Sequence, residues 1–162
     1  MKDQSTAISV IPPLSINPAG CNCLALRQAA RHVTQLYDQI LAPSGLRATQ
    51  YSILARLQRK GPMTINALAG DLVMDRTTLG RNILPLERDG LIAVGPGKSD
   101  RRSKELRLTG EGISRFRAAR KVWQDAQERF EAAFGTKRAK ELRALLQQVV
   151  TSEAQVDPNL HA

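Results

Sequence analysis

The sequence predicts a mainly α-helical chain with one small β wing, and three observations carry that prediction. Apolar residues recur at steps of three and four over most of the chain. The segments so marked are separated by breakers: APSG at 42–45, KGP at 60–62 and Gly90. One alternating run, KELRL at 104–108, departs from the helical period, and it follows a loop, GPGKSDRRS, rich in glycine and positive charge.

Residues 1–19, with Pro12, Pro13 and Pro18 and no periodicity, read as a flexible arm. Cys23, Leu26, Ala30, Val33, Tyr37 and Ile40 then form one apolar stripe, predicting a helix within 20–41. A second helix is expected from Thr49 to Lys60, with Ile53, Leu54 and Leu57 inward. Ile65–Leu72 is read as a short helix, Val73–Met74 as a turn and Arg76–Arg88 as the next helix. Asp75 suits its N-cap, because a carboxylate there accepts from the free amides of the first turn. Pro85 removes one backbone donor and predicts a kink in the last turn. Two strands follow, Leu91–Gly95 and Lys104–Leu108, joined by the basic loop. Thr109–Phe134 is a long helix of roughly 39 Å, with Phe116, Ala119, Trp123, Ala126, Phe130 and Ala133 in step. After Gly135, Ala139, Leu142, Leu145, Leu146, Val149 and Val150 mark a final helix, and 153–162 is a tail.

The first and the last two helices are striped but have no place in a core of three helices and a hairpin. The long helix could pack within the monomer or against a second copy; because the first and last helices are striped too, a helical dimer interface is the favoured expectation. Residues 20–162 therefore read as one unit: a lobe at 47–108, with dimerisation helices at 20–41 and 109–152.

Lys and Arg number 24 against 15 Asp and Glu, a formal charge of +9 and a pI near 10.3. Such a balance points to a polyanionic partner, nucleic acid or a membrane surface. Two cysteines make no disulfide scaffold, so a reducing compartment is expected. The N-terminus has no long apolar run behind a basic start, as a signal peptide would, and no stretch is long or apolar enough to span a bilayer, so a cytoplasmic location without membrane contact is expected. An enzyme is disfavoured: the two histidines are His32 and His161, and HExxH, GxSxG and a phosphate-cradling glycine loop are all missing. Neither a cofactor nor a metal is expected, since Cys21, Cys23 and His32 fall short of the four ligands a stable zinc site takes.

Helix, turn, helix and basic hairpin together form a winged helix-turn-helix. The second helix of such a pair enters the major groove and presents its N-terminal side chains to base edges. Here those are Arg76, Thr77, Thr78, Arg81 and Asn82, while Leu79, Ile83 and Leu86 face the domain. Arg pairs with guanine, Asn with adenine, and a Thr methyl meets the thymine methyl. In the wing, Lys98, Arg101, Arg102 and Lys104 supply charge that releases counterions from DNA, and Asp100 is placed to aim a neighbouring arginine.

The runs DRTTLGRNILPLERDGLI and KSDRRSKELRLTGEG closely resemble the multiple-antibiotic-resistance regulator (MarR) family of bacterial transcription factors. Its most specific marks stand here as Asp100-Arg101-Arg102 and Leu108-Thr109-Gly110-Glu111-Gly112. The resemblance covers about residues 22–152. It implies a homodimer on a palindromic operator of double-stranded DNA, usually as a repressor, with ligands held between the dimerisation helices and the DNA-binding lobe. It also implies groove reading by Arg76, Thr77, Thr78 and Arg81, and a wing ion pair and minor-groove arginine at Asp100 and Arg102. Departures are Pro85 and the Ala93-Val94 pair, where a basic residue often enters the wing.

Two switches are open. Tyr37, Tyr51 and Trp123 are candidates to line a pocket for a small aromatic effector. Cys23, in phase with the inward stripe, reads first as a small packed residue. It also lies near a helix N-terminus with Arg27 four residues on, features that favour a thiolate. By the resemblance it aligns with the reactive cysteine of organic-hydroperoxide sensors, with Tyr37 matching one tyrosine of that site. Arg27 and Ala48 stand in place of two others. Cys21 is the candidate second thiol; a bond within one helix would be strained, so a bridge between subunits fits better. The expected function is a DNA-binding regulator released by a small molecule. The alternatives are a redox-sensing repressor and a non-specific architectural DNA binder.

Overall fold

The computed structural model describes residues 20–97 and 102–152; the arm, the tail and the wing positions 98–101 lie outside the described residues. The element order is α1 (Asn22–Leu41), α2 (Ala48–Lys60), β1 (Met63–Thr64), α3 (Ile65–Asp71), α4 (Arg76–Arg88), β2 (Ile92–Pro96), β3 (Lys104–Leu108), α5 (Gly110–Phe134) and α6 (Thr136–Thr151). The chain is mainly helical with a small antiparallel sheet, ordered β1-β3-β2.

The chain divides into two compact units, residues 1–35 and 36–162. The described part of the first is the opening of α1. Cys21 stands just before that helix, and its Sγ accepts the Leu24 amide at 3.4 Å. Cys23, Leu24, Leu26 and Ala30 are exposed. Cys23 is therefore not covered by the rest of its own chain. Helical periodicity marks a face as apolar but does not say what covers it.

In the second unit, Leu41, Ile53, Leu54, Leu57, Leu68, Leu79, Leu86, Ile92 and Leu106 are fully or almost fully buried. The three residues expected to hold α4 to its domain, Leu79, Ile83 and Leu86, are all in this core. Asp71 near the end of α3 pairs with Arg56 of α2 at 3.2 Å and with Lys60. The Lys60 hydrogen bond, with Arg56 beside it, holds the Asp71 carboxyl below the usual carboxylate range. The turn after α3 places Val73 at φ 51°. A left-handed conformation costs a residue bearing a Cβ roughly 1–2 kcal/mol.

One element differs from expectation, and α4 has its expected span. β1 is a third strand that the sequence did not reveal, since two residues carry no period; Met63 pairs with Leu106. The α4 helix continues through Pro85 to Arg88. Beyond it, the Asp89 amide donates to the Pro85 carbonyl at 2.9 Å and the Leu91 amide to Leu86 at 2.8 Å. One missing donor at a half-buried position is thus tolerated.

The wing and the long helix meet in a close backbone approach. The Thr109 amide donates to the Leu91 carbonyl at 3.1 Å, and its hydroxyl donates to the Gly90 carbonyl at 2.6 Å. The same hydroxyl accepts the Gly112 amide at 3.0 Å, capping α5. A Cβ on residue 112 would lie 1.9 Å from the Leu91 oxygen. This is why Thr-x-x-Gly opens the helix: threonine caps it and glycine lets it sit on a carbonyl. We predict that Gly112→Ala destabilises the fold by about 3 kcal/mol or more, because backbone must move to admit the methyl. Chemical denaturation checks this, and an unchanged midpoint would refute the close approach.

Candidate nucleic-acid interface

The helix-turn-helix is set by local chemistry. The Thr64 hydroxyl accepts the Ala67 amide at 3.1 Å and caps α3. One Asp75 oxygen accepts the Thr78 amide at 2.8 Å and the other accepts the Thr78 hydroxyl at 2.6 Å, so Asp75 caps α4 as expected. These bonds, the Thr78 hydroxyl first, hold the Asp75 carboxyl below its usual range. It is therefore charged at neutral pH, opposite the positive end of the helix dipole.

With 3.6 residues per turn, Thr77, Arg81, Leu84 and Arg88 form one line opposite the buried row. All four are exposed, and so is Arg76 beside them. The other two candidate readers are engaged locally. Thr78 gives its hydroxyl proton to Asp75. Asn82 is half-buried and donates its side-chain amide to the Thr78 carbonyl at 2.8 Å. Of the five residues named from sequence, Arg76, Thr77, Thr78 and Arg81 are exposed and Asn82 is half-buried, with the Thr78 hydroxyl engaged by Asp75.

The wing lies alongside. β2 and β3 pair from Ile92–Leu108 to Pro96–Lys104, and the Gly97 amide donates to the Ser103 carbonyl at 2.8 Å. Arg102 and Lys104 are exposed on it; Lys98, Asp100 and Arg101 lie outside the described residues. Arg107, which the sequence reading passed over, reaches across the sheet and donates to the Pro96 carbonyl at 3.0 Å. A Cβ on Gly95 would make ordinary van der Waals contact with that guanidinium, at 3.5 Å. The alternation in KELRL was the available signal for a cross-strand role. Between α4 and the wing runs a groove of about 680 Å³, lined by Gly80, Ile83, Leu84, Glu87, Val94, Pro96, Arg102 and Lys104.

The candidate effector residues form part of an aromatic cluster. Tyr51 stacks on Trp123 at 5.4 Å and lies 5.2 Å from Phe116, while Tyr37 meets Trp123 edge-on at 6.5 Å. Phe116 was expected only as a member of the α5 stripe. Tyr51 and Trp123 line a recess of about 400 Å³ with Ser52, Ala55, Arg56, Arg59 and Leu72. Tyr37 is not one of its walls; its hydroxyl donates to Gln127. Burial raises the Tyr51 pKa and keeps the phenol neutral. Among the described residues, no group of three or more His, Cys, Asp or Glu is placed to hold a metal ion, and no helix is long and apolar enough to cross a membrane.

A family model described as the MarR family matches residues 46–104. The chain is 32% identical over 91 residues to YwoH, an uncharacterized helix-turn-helix-type transcriptional regulator of Bacillus subtilis. That match covers 56% of this chain and 66% of YwoH, a little under two thirds of the relative's length. The transcriptional regulator MosR of M. tuberculosis is similar in structure, with a TM-score of 0.70 and 35% identity over 82% of this chain and 96% of MosR. The transcriptional repressor CouR, bound to a 23-mer DNA duplex, has a TM-score of 0.73 at 25% identity, covering 84% of this chain and 97% of CouR.

A carboxyl whose pKa is lowered by folding stabilises the native state above its unfolded pKa, and the contribution is lost as pH falls through the lowered value. We predict that the melting temperature declines on the acid side of the carboxylate range and that Asp75→Ala makes this decline shallower. Melts followed by circular dichroism across that range check it. Identical acid-side slopes would detach the Asp75 cap from stability.

Proposed function

The chain belongs to the MarR family, and from that premise we propose that it is a sequence-specific DNA-binding transcriptional regulator. In this reading it acts as a homodimeric repressor on a palindromic operator and is released by a small aromatic effector. The observation that carries it is the open face of α4, with Arg76, Thr77 and Arg81 exposed beside Arg102 and Lys104 of the wing. Arginine reads guanine bidentately and a threonine methyl meets thymine, while wing cations neutralise phosphate or enter the narrow minor groove. Lys98 and Arg101 extend that basic edge by sequence, with Asp100 between them as the carboxylate that aims a neighbouring arginine. Thr78 and Asn82 serve chiefly to hold the first turn in shape. The net charge of +9 adds the salt-dependent attraction common to all DNA.

Support for a dimer comes from apolar side chains left in solvent. Leu24 and Leu26 of α1 are 38% and 41% exposed, and Leu145, Leu146, Val149 and Val150 of α6 range from 39% to 58%. Support for an effector comes from the recess floored by Tyr51 and Trp123, with Arg56 and Arg59 at its edge, a surface suited to a planar anion. A second reading, thiol-based sensing of an organic hydroperoxide, rests on the exposed Cys23 and on Cys21 at the start of α1.

The test is binding to the upstream region of its own gene against excess competitor DNA at fixed salt, with and without cumene hydroperoxide. Preference by roughly 10³ or more supports a regulator; comparable binding to all DNA supports the architectural alternative. Thiol-reversible loss on oxidation would replace the aromatic effector with the cysteines. Arg81→Ala is expected to reduce discrimination between operator and random DNA by about 1–3 kcal/mol. Equal loss on both DNAs would remove Arg81 from base reading. For the effector, aromatic carboxylates are expected to quench Trp123, the one tryptophan in the chain, at concentrations that release DNA. Release without any change in Trp123 emission would place the effector elsewhere.

A further inference from the structure

Two residues of α4 are explained neither by its packing nor by the hydrogen-bonding readers. Leu84 is 64% exposed, in line with Thr77 and Arg81 and between Arg81 and Arg88. A lone exposed leucine is ordinary on a protein surface, but this one interrupts a face otherwise made of threonine and arginine. Gly80 lies one turn before it, toward the wing. A Cβ on Gly80 would meet nothing within 4 Å, so packing inside the chain does not call for glycine there. Glycine also weakens a helix interior more than any residue but proline. Side by side, the two make a bare notch next to an apolar side chain, and both line the groove that Val94, Pro96, Arg102 and Lys104 close from the wing.

We infer that Leu84, beside the Gly80 notch, selects thymine by contact with its 5-methyl group. This rests on the reading of α4 as a major-groove helix. On that edge of the base pairs, the thymine methyl is the one apolar group presented, and an aliphatic side chain recognises nothing else there. Leucine offers no hydrogen bond, so it adds information that Arg81 does not carry. The bare backbone at Gly80 permits closer approach of the helix to the groove floor. Thr77 and Leu84 are seven residues apart, about 10 Å along the axis, or roughly three base-pair steps. The selected thymine therefore lies within about three pairs of the base that Thr77 meets.

The experiment deletes the methyl alone. An operator selected from random DNA is remade with each thymine in turn replaced by deoxyuridine. One thymine in each half-site is expected to weaken wild-type binding about fourfold on replacement, the equivalent of one buried methyl group. Leu84→Ala should bind the thymine operator as weakly as wild type binds that deoxyuridine version, and should be indifferent to the same replacement. Its melting temperature should match wild type, because the site is exposed. Gly80→Ala should melt higher yet bind the operator less well. The inference is overturned if Leu84→Ala keeps wild-type sensitivity at every thymine, or binds the unmodified operator as tightly as wild type. If wild type selects no sequence at all, the regulator reading fails and this inference with it. A selective wild type without coupling to Leu84 removes the inference alone.

Discussion

The lobe that carries α4 and the wing depends on one close approach, the first turn of α5 resting on the carbonyl of Leu91. Only a residue without a Cβ fits at position 112, and Thr109 closes the seat with its own hydrogen bonds. The carbonyls it binds belong to the loop that ends α4 and begins β2, and β3 ends at the residue before it. One threonine and one glycine therefore fix where the helix stops, where both wing strands sit and where the long helix departs. The spacing between α4 and the wing follows from that junction rather than from any contact at their exposed surfaces.

The sides of α4 carry separate tasks. Leu79, Ile83 and Leu86 are buried and fix its roll. On one flank, Asp75, Thr78 and Asn82 form a chain of bonds within the helix itself, from cap carboxylate to hydroxyl and from side-chain amide to backbone carbonyl. These groups stiffen the first two turns, so the outer line of Thr77, Arg81, Leu84 and Arg88 is held in one orientation without packing of its own. Pre-organisation of this kind reduces the ordering entropy that association has to overcome. Arg107 performs the matching service for the wing by tying β3 to the Pro96 carbonyl.

The sequence was most informative where a property repeats or a cap has a characteristic chemistry. Stripes in 49–60, 76–88 and 109–134 located α2, α4 and α5 within a residue or so, and Asp75 marked its helix start. Where meaning depends on a distant partner, it was silent. Two-residue β1 exists only because β3 lies beside it. The need for glycine at 112 comes from a carbonyl at the other end of the wing. Thr78 and Asn82 carry the same donors whether they face a base or their own helix, so sequence could nominate them but not show that they are occupied. Cys23 kept perfect phase with an apolar stripe and is nonetheless exposed, since phase reports composition and not coverage. Phe116 was legible as core but not as one wall of the ring stack with Tyr51.

The long helix gives the Leu91 seat a mechanical consequence. Its 25 residues extend about 37 Å from the seat, with Trp123 about 20 Å along. A rod seated at its first turn and packed on α2 through Phe116 and Trp123 turns a small rotation into a larger sweep at its far tip. A tilt of about 5° carries Trp123 about 2 Å and Phe134 about 3 Å, close to the 3.4 Å rise of one base pair. The lever works in reverse as well: restraint at the far end resists rotation at the seat. The aromatic cluster sits partway along this rod, where Tyr51 of α2 meets Phe116 and Trp123.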